Sequence, residues 1–121
     1  MGETPAHLRQ GRAAEEHACA HLEQNGLRRL ARNYRSPFGE IDLVMQDGDT
    51  LVFVEVRYRR SPDFGAPDET VDTRKQARLR ATAEHYLQRR PRASKNPCRF
   101  DIVAVTSGHD GESLKWLRNA F

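Results

Sequence analysis

Between Gly39 and Arg60 the chain reads GEIDLVMQDGDTLVFVEVRYRR, and no other stretch restricts the fold so tightly. Asp47-Gly48-Asp49 is a turn signal between two runs rich in β-branched and apolar residues. The segment therefore predicts a β-hairpin, with strands from about Gly39 to Met45 and from Thr50 to Tyr58. Side chains alternate along a strand. In the later strand Val52, Val54 and Val56 face one way, and Leu51, Phe53, Glu55 and Arg57 the other. In the earlier strand Glu40, Asp42 and Val44 share a face opposite Ile41 and Leu43. A Gly48-Asp49 loop puts Asp42 directly opposite Glu55; an Asp47-Gly48 loop makes Glu55 its diagonal neighbour. In both registers the two carboxylates share one side of the sheet, with side-chain roots about 5–8 Å apart. A β-bulge is the feature that would break this inference. Strand interiors disfavour Asp, and a charge near a core is costly without a partner. The hairpin thus raises a chemical question along with a structural one.

The other elements predict one α/β domain over residues 1–121, long enough for a single core. Thr4-Pro5 is a helix start and Asn25-Gly26 a stop, with about five turns between them. Leu8, Gly11, Glu15, Ala18 and Leu22 share one helix face, so a carboxylate lies on the stripe that should meet the core. Leu27 to Asn33 reads as a weakly patterned strand. Residues 59–69, RRSPDFGAPDE, read as a mobile loop. A second helix spans about Val71 to Arg90, with Leu79, Ala83, Tyr86 and Leu87 as its core stripe and Lys75 one turn earlier on the same side. Arg99 to Val105, apolar on both faces from Ile102 onward, predicts a central strand. Thr106 to Glu112 reads as a loop, and LKWLRNAF as a short closing strand or tail. The order is helix, three strands, helix, one or two strands around one sheet.

Composition narrows the setting. No apolar run approaches the ~20 residues of a membrane span, and MGETPAHLRQ lacks a secretory apolar segment. Cys19 and Cys98 are far apart and in no metal-binding spacing, which fits small buried apolar groups in a reduced, cytoplasmic protein. The net charge of +3 is compatible with a polyanionic partner. Of 20 basic residues only Lys75, Lys95 and Lys115 are lysines. Arginine suits bidentate phosphate contacts, and coding bias is the competing explanation.

Two carboxylates side by side repel, and the usual resolutions are a raised pKa, a cationic partner or a metal. Oxygen-only ligation suits a hard ion such as Mg²⁺ or Mn²⁺ held by Asp42 and Glu55, with Glu15 as a third carboxylate. Such an ion activates water and neutralises charge in phosphodiester hydrolysis. Arg57 points to the same face as Glu55 and is placed to clamp a phosphate oxygen. Acid–x–acid–x–base patterns also occur on solvated hairpin faces; the apolar setting of Leu51, Phe53 and Val44 is what favours a site here.

GRAAEEHA, NYRSPFGEIDLV, LVFVEVRYRR, FGAPDETVDTRKQARL and RFDIVAV together resemble the YraN family of small bacterial proteins. That family is similar to archaeal Holliday-junction resolvases in the restriction-endonuclease-like PD-(D/E)xK superfamily. The resemblance implies a restriction-endonuclease-like αβββαβ core with a mixed central sheet flanked by helices. It implies a metal-dependent endonuclease acting on DNA, branched structures included. By position, Asp42 and Glu55 match the two strand acids, Arg57 the lysine position, and Glu15 the extra acid of the first helix. The superfamily lysine is often assigned to the attacking water, and a guanidinium cannot be that base. Three readings follow. Arg57 acts electrostatically while the metal activates water; Lys75 supplies the ammonium from the second helix; or catalysis is lost and binding kept.

Arg59, Arg60, Arg89, Arg90 and Arg92 flank these residues in sequence and are candidates for nucleic-acid binding, with a solvated surface as the alternative. His17 and His21, one turn apart, lack a third convergent ligand and lie off the Glu15 stripe. Tyr34, Tyr58 and Trp116 have the rings to stack on bases, although packing is the favoured role for each. Arg99 and Asp101 share a strand face and pair. The expected partner is DNA, and the two-fold character of a junction would suit a homodimer. The alternatives are a nucleic-acid-binding module without catalysis, and a structural domain that binds no nucleic acid.

Overall fold

Five strands form one mixed sheet in the order β1-β2-β3-β4-β5, where β1 is Arg28–Ser36, β2 Gly39–Asp47, β3 Thr50–Arg59, β4 Cys98–Gly108 and β5 Gly111–Leu117. Two α-helices, α1 (Ala6–Gln24) and α2 (Thr73–Gln88), cover its faces. The structure is a computed structural model and describes residues 6–59, 71–108 and 111–121. The start at Thr4-Pro5, and the loop expected over 59–69 from residue 60 onward, lie outside those residues, as does the side chain of Leu8.

The hairpin takes the first of the two registers. Asp47 pairs with Thr50 and Leu43 with Val54 around Gly48-Asp49. Gly48, with φ +60, opens the loop as a type II′ turn requires. Nothing lies near a Cβ added there, so Gly48→Ala should cost only the backbone strain, about 1–2 kcal/mol. Urea denaturation would measure it. β3 and β4 run parallel, with α2 as the crossover that a parallel pair needs. The other ladders are antiparallel.

Alternation sorts the core. Val52 and Val54 pack with Leu43, Met45, Val103 and Val105 beneath Ala14, Ala18, Cys19 and Leu22 of α1. On the opposite side Leu51, Phe53, Val44 and Ile102 pack under Leu79, Ala83 and Tyr86 of α2. β4 carries buried residues toward both helices, as expected of a central strand. α1 stops as its sequence predicts. Leu27 N donates to Leu22 O (3.1 Å) and Gly26 N to Glu23 O (3.0 Å), with Gly26 at φ +91. That is a Schellman cap, closed by contact between buried Leu22 and Leu27.

Several expectations need correction. β1 runs to Ser36 rather than Asn33, because its ladder with β2 continues to Ser36 opposite Gly39. α2 begins and ends two residues inside 71–90; Asp72 caps it by accepting from Lys75 N at 2.8 Å. Residues 106–108 and 111–112, read as loop, extend the β4–β5 ladder out to Gly108 opposite Gly111. Cys19 is buried, but Cys98 is exposed at the start of β4. Finally, Ile41 and Leu43 do not share a face. Leu43 joins the core under α1, and Ile41 joins the core under α2. The break coincides with Asn33, whose φ of 49 is left-handed and interrupts strand alternation opposite Asp42.

Candidate active site at the parting of two strands

The answer to why an aspartate sits in β2 is that the β2–β3 ladder stops there. Backbone pairing ends at Leu43 with Val54, although the register would carry on to Asp42 opposite Glu55. Past that point the N–H of Val56 donates instead to Asp42 Oδ2, at 2.8 Å. The carboxylate replaces a backbone carbonyl and satisfies a donor that the parting strands would orphan. A cavity of about 280 Å³ opens at this fork, lined by Glu40, Asp42, Glu55, Lys75 and Arg78 among others.

Glu55 is buried, 6% exposed, on the α2 side of β3. Lys75, in the first turn of α2, places Nζ 2.5 Å from Glu55 Oε1. The helix cap sets this up: Asp72 fixes the turn in which Lys75 lies, and Leu79 one turn on is anchored in the core. Burial pushes the Asp42 carboxyl up to about 8, with the charges of Glu55, Glu15 and Glu40 adding to it; the Val56 N–H opposes the shift. The site therefore resolves its crowding of acids in two of the three ways open to it, a retained proton on Asp42 and an ammonium on Glu55.

Glu15 comes from the α1 side at the same end of the sheet. Burial raises its carboxyl as well, against a hydrogen bond from Asn33 that lowers it. With its amide nitrogen turned toward the acids, Asn33 donates to Glu15 Oε2 (3.1 Å) and Glu40 Oε1 (2.9 Å). Asn33 and Glu40 are site residues that sequence reasoning missed. A usable signal existed: Asn is one of the few side-chain-bearing residues that tolerates a left-handed strand position.

The sequence-predicted residues thus divide. Asp42, Glu55 and Lys75 share one cavity, and Glu15 joins them electrostatically. Among the described residues no three His, Cys, Asp or Glu side chains stand close enough to hold an ion between them. Arg57 is half-buried opposite Ala104 and does not line the cavity. Arg59 lies exposed at the end of β3, four residues beyond Glu55, and Arg60 is outside the described residues. Arg89 and Arg90 follow the far end of α2, about 21 Å from Lys75 at 1.5 Å per residue, and Arg92 lies beyond them. His17 pairs with Glu112, and His21 packs edge-on against Trp116. Tyr34 bonds His85 Nδ1 (2.7 Å), and the Trp116 indole donates to Asp101, so both rings are committed to packing.

Fold and site together define a small α/β protein with a carboxylate-rich fork at the diverging ends of two central strands. The chain belongs to the uncharacterised protein family UPF0102, whose model matches residues 14–105, and this is the YraN family that the sequence motifs resemble. The match includes Glu15, Asn33, Glu40, Asp42, Glu55 and Lys75 and excludes β5. A UPF0102 protein of Pseudomonas entomophila is 55% identical over 112 residues, 92% of this chain and 91% of that one. One of Nitrosococcus oceani is 50% identical over 115 residues, 95% and 93% of the two chains. Among the described residues no helix is long and apolar enough to cross a membrane.

Proposed function

We propose that the chain is a metal-dependent endonuclease of the restriction-endonuclease-like class, hydrolysing phosphodiesters in DNA, branched DNA included. The observation that carries this reading is that Asp42 and Glu55 line one cavity where β2 and β3 part, with Lys75 against Glu55. The order αβββαββ and the mixed sheet are compatible with that class.

The donor set fits a hard divalent ion. Such ions take one or two carboxylates and keep several waters, so a pair suffices without a closed protein cage. Asp42 and Glu55 would hold Mg²⁺ or Mn²⁺, which when bound supplies Lewis-acid activation of water and charge neutralisation at the phosphate. The protein's own groups do the rest. Val56 N–H orients Asp42, the Lys75 ammonium sits at the cavity wall to meet charge developing on phosphate oxygens, and Arg78 adds a second cation. Arg57, always protonated, serves as an electrostatic group only.

Because Asp42 holds its proton up to about 8, ion binding near neutral pH must displace it. Mn²⁺ titrated calorimetrically at pH 7 in buffers of different ionisation enthalpy should release close to one proton per ion, and affinity should rise toward pH 8. Flapped, branched and linear DNA incubated with Mg²⁺ or Mn²⁺ then tests cleavage directly. A second reading, a DNA-binding module without catalysis, is favoured by one observation: Lys75 already neutralises Glu55. That reading predicts DNA binding with no Mn²⁺ uptake and no cleavage.

A further inference from the structure

We infer that the nucleic-acid strand runs along one flank of α2, from the carboxylate fork to a second, arginine-lined phosphate cleft at the far end of the helix. The inference rests on the nuclease reading above and adds a binding path to it. Lys75, Arg78, Thr82, His85 and Arg89 follow one another at spacings of three and four. At 100° per residue they fall within about 80° of helix surface, a polar stripe beside Leu79, Ala83 and Tyr86; Thr82 is buried with those three, and the other stripe residues are exposed or half-buried.

The β1–β2 turn packs on the middle of this stripe, over Thr82 and beside Arg78, so the strand passes outside the turn between the two ends. Lys75 and Arg78 line the fork with Glu40, Asp42 and Glu55. Thr82 Oγ1 lies 3.0 Å from Ser36 Oγ, midway along the helix. Beyond it, Arg35, Ser36, His85, Arg89 and Arg90 line a cleft of about 750 Å³ together with Tyr34. Acidic α2 residue Glu84 points away, on the opposite side of the helix by the same angular count.

The cleft is held in shape. Arg90 lies over the Tyr86 ring, 3.8 Å from its centroid, and donates to Tyr86 O at 3.3 Å. Tyr34 is fixed by its bond to His85 Nδ1 and by edge-on contact with Tyr86. Arg35 is 81% exposed and touches Glu40 through Nε at 3.3 Å, so it links cleft and fork along the same turn. Exposed guanidinium groups gathered in a concave cleft match the oxygens of a phosphodiester. The helix separates the two ends by about 21 Å, or about six base-pair steps of 3.4 Å along a B-form duplex axis. The cleft therefore anchors a phosphate about six nucleotides from the bond at the fork.

The test is fluorescence anisotropy of labelled DNA duplexes against salt concentration, for the wild type and for Arg35→Ala/Arg89→Ala. Loss of two phosphate contacts should lower the slope of log K against log[salt] by about 2, and weaken binding about tenfold at ~0.1 M salt. Arg35→Lys/Arg89→Lys should restore the slope, because the charges return. Shortening the duplex to fewer than about six base pairs on one side should give the wild type the variant's slope. An unchanged slope in the alanine variant, with a wild type that binds and cleaves DNA, overturns the path and leaves the fork intact as a nuclease site. A wild type that neither binds nor cleaves DNA overturns both.

Discussion

Asp42→Asn is expected to abolish cleavage and at the same time to make the protein more stable. The replacement keeps an oxygen that accepts from Val56 N–H, so the fork should hold its shape. It removes one of the two carboxylates that would hold the ion, and the loss in rate should be at least about 10²–10³-fold. The stability change follows from proton linkage. In the fold Asp42 keeps its proton up to about pH 8, against an ordinary value of 3.8. Between those values the folded state binds more protons than the unfolded one, so wild-type stability falls as pH rises through that window. Asparagine has no such proton to lose. The variant's advantage should grow from about pH 4, level off above about pH 8, and reach on the order of 2–5 kcal/mol. Urea denaturation from pH 4 to 9, beside a cleavage assay with Mn²⁺, reads both effects. Retained cleavage in Asp42→Asn would overturn the assignment of the fork as the catalytic site.

Asp101→Ala is expected to do the reverse. Asp101 is fully buried in β4 and accepts from Arg99 Nε (3.1 and 3.2 Å), Trp116 Nε1 (2.9 Å) and Asn119 N (2.9 Å). Arg99 in turn reaches Asp47 at 3.0 Å, so this carboxylate ties β4, β5 and the end of β2 together. Arg99 and Trp116 are half-buried donors, and the N–H of exposed Asn119, just past β5, adds a third. Breaking such a buried network leaves Arg99 with Asp47 alone and costs about 3–5 kcal/mol. Thermal or urea denaturation should show it. A loss below ~1 kcal/mol would mean that water or Asp47 replaces the lost partner. The two aspartates differ in what surrounds them: Asp42 faces other acids, whereas Asp101 faces only donors.

Much of this was legible before any coordinates. The valine alternation in β3 assigned its faces, Asn25-Gly26 ended α1, and both registers open to the hairpin brought Asp42 near Glu55. Lys75 was also readable, one helical turn before Leu79. Asn33 was missed because a left-handed residue inside a strand breaks the period-two rule; Glu40 was placed on the Asp42 face by that rule without being read as a site residue. The pair Arg99–Asp101 was visible as neighbours on one face, but its bonds to Trp116 and Asn119 cross strands and depend on β5, most of whose start reads as loop. Arg89 and Arg90 follow the α2 sequence closely, yet helix length carries them about 21 Å from Lys75.

The sequence by itself determined the elements, the two faces of β3 and the closeness of Asp42 to Glu55, because periodicity and turn chemistry act over a few residues. Only the tertiary structure decided that the β2–β3 ladder stops at Leu43, that Asp42 caps Val56, that Asn33 bridges Glu15 to Glu40, and that Lys75 meets Glu55. Those contacts join residues 7–20 positions apart across strands and helices, where the packing of α1 and α2 on opposite faces of one sheet sets the distances.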